Sequence, residues 1–253
     1  MPIRAILIES MNFVTDIGNT FTKMALFEEG KMVAFTSFPG VETEQIKLFC
    51  ELNPAIRFAI VSSVKEYPAG IDNFLQSRYT TLLFDHLTKI PVSNLYHSPE
   101  TLGKDRLAAV VAAWNMFPGS NVLVVDAGTA ITYDLITAEG EYTGGAISPG
   151  IAMRYKALHT FTGRLPLLDY YGEVELTGNN TDGSIQSGVL NGVLAEVHGI
   201  MQKYQGIYPN LKIILTGGDH NYFDKRLKIK TFAAPNLVLE GLNLILNFNI
   251  ETK

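Results

Sequence analysis

The chain is short of cysteine, of long apolar runs and of positive charge, and each shortage removes a class of protein. A single cysteine, Cys50, in 253 residues allows no internal disulfide framework and no cysteine-built zinc cluster. It fits a reducing compartment. No uninterrupted apolar run approaches the roughly 18 residues a membrane-spanning helix needs. The opening MPIRAILIES carries Arg4 and an apolar stretch too short for the core of a signal peptide. A recognisable strand begins at Met11, so residues 1–10 are expected to be dispensable and the protein cytoplasmic. Lys and Arg number 20 against 25 Asp and Glu, a net charge of −5. That balance argues against a nucleic-acid footprint. What the chain does have is apolar residues, 47% of the total. A chain of this length buries roughly three quarters of its unfolded surface, so a disordered reading is excluded. At about 150 residues per domain, the length suits one large domain or two small ones.

Apolar alternation predicts strands at 11–16, 21–27, 32–38, 58–62 and 81–84, with helices at 42–51 and 71–79. An irregular stretch containing Pro91 and Pro99 leads to Gly103, and an Ala- and Val-rich helix is predicted over 105–117. The pattern then restarts. Strands are predicted at 121–126, 131–136, 142–147 and 212–216, helices around 150–160 and 184–204, and a terminal helix at 236–248. The restart is a repeat. VTDIGNTFTKMALFEEG, from Val14, and VVDAGTAITYDLITAEG, from Val124, share a strand, Asp-x-Gly-(Asn)-Thr, a second strand and an acidic-Gly turn. Two copies predict two similar α/β lobes, 1–117 and 118–253.

The repeated turn suits phosphate chemistry. Gly18 removes a side chain that would hold a phosphate away from the backbone, and successive N–H groups in such a turn form an anion-binding concavity. Asn19 and Thr20 add donors, Lys23 is near in sequence, and Asp16 at the strand end can hold Mg²⁺ directly or through water. There is no Walker A motif, so these loops are expected to be β-hairpins and not strand-to-helix turns. Asp126, Gly128 and Thr129 repeat the arrangement, while Gly144-Gly145 and Ser148-Pro149-Gly150 read as turn chemistry.

Three further features each admit more than one role. Asp105 is a helix-capping or first-turn acid, a general base beside an Arg106 carboxylate clamp, or half of a structural Asp–Arg pair. Asp182 or Ser184 is expected to cap the helix that follows Asn180-Thr181. Gly188, Gly192, Ala195 and Gly199 line one face of that helix, for packing on its own sheet or on a second subunit. The five histidines show no metal-ligand spacing.

Taken together these motifs resemble the type III pantothenate kinases, of the acetate kinase, sugar kinase, Hsp70 and actin superfamily. They are Asp16-Ile-Gly-Asn-Thr20 with Lys23, Gly103-Lys-Asp-Arg106, Asp126-Ala-Gly-Thr129, Gly144-Gly-Ala-Ile-Ser-Pro-Gly150, Arg164-Leu-Pro166, Thr181 before Ser184-Ile-Gln-Ser-Gly188, and Thr216-Gly-Gly-Asp219. The resemblance implies an actin-like ATPase fold of duplicated ribonuclease-H-like lobes. It implies ATP-dependent phosphorylation of pantothenate, the first step toward coenzyme A, by a homodimer without nucleic-acid or membrane partners. By position, Asp16, Ile17, Gly18, Asn19, Thr20, Phe21, Thr22 and Lys23 are similar to an ATP-phosphate loop, and Thr129 to a second ATP contact. Asp126 is similar to the ligand of an activating K⁺ or NH₄⁺, with Asp16 toward Mg²⁺. Tyr96, Gly103, Lys104, Asp105, Arg106 and Thr181 resemble the pantothenate contacts, with Asp105 the proton acceptor. The competing expectations are a non-catalytic regulator resembling the Bvg accessory factor, and another small-molecule kinase of the superfamily.

Overall fold

In the computed structural model, which describes residues 10–251, the first apolar runs form β1 (Met11–Ile17), β2 (Phe21–Glu28) and β3 (Lys31–Pro39). α1 (Thr43–Glu51), β4 (Ile56–Ser63), α2 (Gly70–Arg78), β5 (Thr80–Leu83) and the two-residue β6 (Ser93–Asn94) follow. A 3₁₀ turn at Pro99–Thr101 then leads into α3 (Lys104–Met116). The first sheet has the order β3-β2-β1-β4-β5. Its first three strands are an antiparallel meander, and β4 and β5 run parallel to β1. The crossover helices α1 and α2 cover one face, where Ile46, Cys50, Ile71 and Leu75 close over Phe13, Ile17 and Val61.

The second half repeats this construction with β7 (Val122–Ala127), β8 (Ala130–Ile136), β9 (Glu141–Pro149), α4 (Ile151–Thr160), α5 (Thr181–Ile207), β10 (Lys212–Thr216), α6 (His220–Asp224) and β11 (Phe232–Ala233). Within this unit the strands run β11-β10-β7-β8-β9. β7, β8 and β9 are antiparallel, β10 is parallel to β7, and β11 to β10. Strand for strand this is the order of the first sheet, so the duplicated ribonuclease-H-like architecture is present. Leu123, Val125 and Tyr133 pack against Val189, Val193 and Val197 of α5.

The lobes differ from the expected cut at 117/118. The compact units are Met1–Ala112 with Leu237–Lys253, and Ala113–Asn236. The terminal helix α7 (Leu237–Glu251) therefore returns to the first unit. The reason is visible on β1, where Asn12 Nδ2 donates to Asn243 Oδ1 at 2.8 Å and to Asn247 Oδ1 at 2.7 Å. A split by chain order misses a helix that crosses back.

Three smaller expectations also change. α5 starts at Thr181 and its cap is Asn180, whose side chain accepts from Gly183 N–H at 2.7 Å, so neither Asp182 nor Ser184 is the cap. The small-residue face of α5 does not pack on its own sheet. Gly188, Gly192 and Ala195 are exposed, and the buried residues are Ile185, Val189, Val193, Val197 and their neighbours. β6, β11 and α6 were not predicted, being too short to show a period. The expectation about residues 1–10 lies, Ser10 apart, outside the described residues. Among the described residues no helix is long and apolar enough to cross a membrane.

Candidate functional site

In the first unit the β1–β2 connection is a hairpin, closed by Gly18 N–H donating to Phe21 O at 3.0 Å. Asp16, only 6% exposed, lies at the end of the central strand. Its register partners are Lys23 on β2 and Ser62 on β4. Directly paired residues point to the same face of a sheet, so the Lys23 and Ser62 side chains leave the sheet on the same face as this carboxylate. Ser62 Oγ is buried without a protein hydrogen-bond partner. An unsatisfied buried hydroxyl costs about 1–3 kcal/mol, and a hydrated cation beside Asp16 would satisfy it. Of the loop residues predicted from sequence, Asn19, Thr20 and Phe21 are exposed at the tip. Ile17 and Thr22 are fully buried, main chain included.

Sequence reading missed the residues that fasten this loop. Val64 N–H donates to Ile17 O at 3.2 Å, Ser63 Oγ sits 3.4 Å from the same carbonyl, and Lys65 Nζ donates to Asn19 O at 3.1 Å. Their one signal was a position just past a predicted strand. The parallel pairing of β1 and β4 brings that position to the loop, at the carboxyl end of the strands where α/β sheets bind ligands.

The segment from Tyr96 to Arg106 also lies in the first unit. Arg106 is 7% exposed, and its guanidinium carbon stands 5.9 Å from the centre of the Tyr96 ring, within cation–π range. Asp105 is a first-turn acid of α3, not its cap, and its Oδ1 accepts from Arg106 N–H at 2.8 Å. Gly103 lies close against the Asp105 side chain. A Cβ at this position would lie 2.6 Å from Asp105 Oδ1. Lys104 begins α3 and is half-buried.

The second unit repeats the carboxylate arrangement. Gly128 N–H donates to Ala130 O at 3.0 Å, closing the β7–β8 hairpin. Asp126 pairs in register with Thr132 on β8 and Thr216 on β10. Thr132 Oγ1 is buried with no hydrogen-bond partner. An oxygen-only donor set of this kind suits K⁺, Mg²⁺ and similar hard cations. Among the described residues no group of three His, Cys, Asp or Glu is placed to hold a metal. The residues therefore fit an ion held by one carboxylate, with hydroxyl, phosphate and water oxygens completing its shell.

The segment read as turn chemistry does more than turn. Gly150 N–H donates to Thr129 O at 3.1 Å, and a Cβ on Gly150 would fall 2.1 Å from Gly128 O. The end of β9 thus abuts the second hairpin loop backbone to backbone. Thr181, the exposed first residue of α5, borders a cleft of roughly 700 Å³ together with Leu158, Leu165, Asn180, Ile185 and Gly188. Cys50 takes no part in this chemistry, since burial pushes its thiol up to about 12.

Comparison with known proteins gives these parts a context. A family model described as type III pantothenate kinase matches residues 12–203. The type III pantothenate kinase of Christiangramia forsetii is 45% identical over 240 residues, covering 94% of this chain and 99% of that one. Among solved structures, a Campylobacter jejuni chain assigned to the Baf family of transcriptional activators matches with TM-score 0.60 at 21% identity, over 94% of this chain and 99% of its own. The activator of 2-hydroxyisocaproyl-CoA dehydratase from Clostridium difficile, solved with ADPNP, matches with TM-score 0.56 at 11% identity, over 96% of each chain. At those identities the two structures bear on the fold alone.

Proposed function

This chain belongs to the type III pantothenate kinase family, and from that premise we infer that it phosphorylates pantothenate with ATP, the first step of coenzyme A biosynthesis. The observation that carries the reading is the 45% identity over 99% of a curated relative. The new bond joins the terminal hydroxyl oxygen of pantothenate to the γ-phosphorus, the bond from that phosphorus to the β,γ-bridging oxygen breaks, and ADP leaves. Such a transfer needs mainly positioning and charge neutralisation. In this reading Lys23 and the main-chain N–H groups of the exposed Asn19–Thr20 tip neutralise the phosphates, and Thr129 is a second ATP contact. Mg²⁺, with Asp16 on its hydration shell, would supply further charge at the β- and γ-phosphates. Asp105 accepts the hydroxyl proton, and the Arg106 fork holds the substrate carboxylate. Tyr96, Gly103, Lys104 and Thr181 complete the pantothenate contacts. The reading places the enzyme in the cytoplasm.

An acceptor panel with ATP consumption as the readout tests it. Consumption should depend on pantothenate. Consumption with acetate or a hexose in its place would favour another kinase of the superfamily, and none with any acceptor would favour a regulator.

Asp126, Thr132 and Thr216 support a monovalent-cation site. Turnover is expected to be low in Na⁺-only buffer and to rise with K⁺ or NH₄⁺. Equal rates in all three salts would remove that cation from the mechanism.

The exposed stripe on α5 supports a homodimer. A Cβ at Gly192 meets nothing within 4 Å, so Gly192→Leu should not overpack the unit. It should instead stabilise the helix by about 0.5–1 kcal/mol. If the stripe meets a second copy, light scattering will show this variant shifted toward monomer with its melting temperature unlowered. A wild-type chain that is monomeric at micromolar concentration would remove the dimer.

A further inference from the structure

One ionic cluster of the second unit has no role in the mechanism above. Arg154 stands on the first turn of α4, and Glu196 lies midway along α5. Arg154 Nη2 donates to Glu196 Oε2 at 2.6 Å and to Ser148 Oγ at 2.8 Å, while Nε donates to Pro149 O at 2.8 Å. Tyr133 Oη donates to the other Glu196 oxygen at 3.1 Å. The two charged side chains are 21% and 29% exposed. Burial pushes the Glu196 carboxyl up, but the bonds from Ser148, Arg154 and Tyr133 outweigh it and hold the group below its ordinary value.

Stability alone is a poor reason for this cluster. α4 and α5 already meet through Ile151, Tyr155, Val189 and Val193, and a desolvated ion pair is weak evidence for stability. Its direction is more informative. Besides Glu196, the Arg154 side chain bonds to Ser148 and Pro149, the two residues before Gly150, and its backbone N–H donates to Gly150 O at 3.0 Å. Gly150 in turn donates to Thr129 O and abuts Gly128. The path runs from Glu196 through Arg154 and the end of β9 to the second hairpin loop.

We propose that Arg154, oriented by Glu196, is a positioning residue that sets the Gly128–Thr129 loop for ATP. The proposal rests on the reading that this loop contacts the nucleotide. Lysine at 154 keeps the charge but loses the planar fork that reaches three acceptors at once. Glutamine at 196 keeps the shape and loses the charge.

The test compares Arg154→Lys, Glu196→Gln and Thr129→Ala in the full chain, varying ATP and pantothenate separately. The two cluster variants are expected to raise the KM for ATP about tenfold and to leave that for pantothenate within about twofold. Both should melt close to the wild type, because the apolar packing of α4 on α5 remains. If Thr129→Ala raises the ATP KM and neither cluster variant does, the positioning role is overturned and the loop keeps its own. If Thr129→Ala leaves the ATP KM unchanged, the nucleotide reading of the loop fails and the proposal falls with it. Equal rises in both KM values, or loss of the fold in both cluster variants, would make the cluster structural and overturn the proposal.

Discussion

Asp105→Asn is expected to lower kcat by about a hundredfold or more while the protein stays folded. The substitution preserves the shape of the side chain and the oxygen that accepts from Arg106 N–H. What it removes is the charge and the basicity. The loss of a first-turn charge at a helix N-terminus costs about 0.3–1 kcal/mol, a small shift of the melting temperature. The general-base role of Asp105 is thereby separated from its structural ones in one variant. A folded Asp105→Asn protein with near-normal kcat would end the general-base assignment. A large drop in melting temperature with kcat retained would make the residue structural.

Gly103→Ala is expected to lower kcat by about tenfold to a hundredfold, because misplacing a reacting group by about 1 Å can cost that much. The methyl group would enter the space of Asp105 Oδ1, 2.6 Å from the Cβ position. The atom displaced is the end of a flexible side chain, so the relief is cheap for the fold and expensive for the geometry. The φ of Gly103 does not fall in the left-handed region, so alanine introduces no backbone strain. Circular dichroism melts should therefore overlay those of the wild type. A fully active Gly103→Ala protein would mean that the position of the Asp105 carboxylate is not critical. An unfolded one would mean that the displaced atom is not free to move.

The sequence made the repeat legible because each copy carries a two-residue strand period and a glycine turn between its strands. β10 was placed at 212–216, as observed, since the apolar run Ile213-Ile214-Leu215, followed by a glycine pair, leaves little choice. The two Asp-x-Gly hairpins, and the cluster of Tyr96, Gly103, Asp105 and Arg106, were within reach because their members are close along the chain. What sequence order hid was contact at long range. Asn12 finds Asn243, Lys65 reaches Asn19, and Arg154 meets Glu196. None of these pairs has a local spacing that a period can reveal. The capping error at α5 has a local cause. Asn180, Asp182 and Ser184 are all good capping residues, and only the observed Asn180–Gly183 bond selects among them.

The central claim is that this chain places a γ-phosphoryl group on the terminal hydroxyl of pantothenate. The most direct measurement is to incubate the purified protein with Mg-ATP, pantothenate and K⁺ and to locate the phosphate on the product by ³¹P–¹H correlation NMR. The account predicts a phosphate monoester on the primary hydroxyl carbon, formed in step with ADP, because Asp105 is assigned to deprotonate that hydroxyl while Arg106 holds the carboxylate. An acyl phosphate on the carboxylate, an ester on the secondary hydroxyl, or ADP formed without any phosphorylated pantothenate would contradict it.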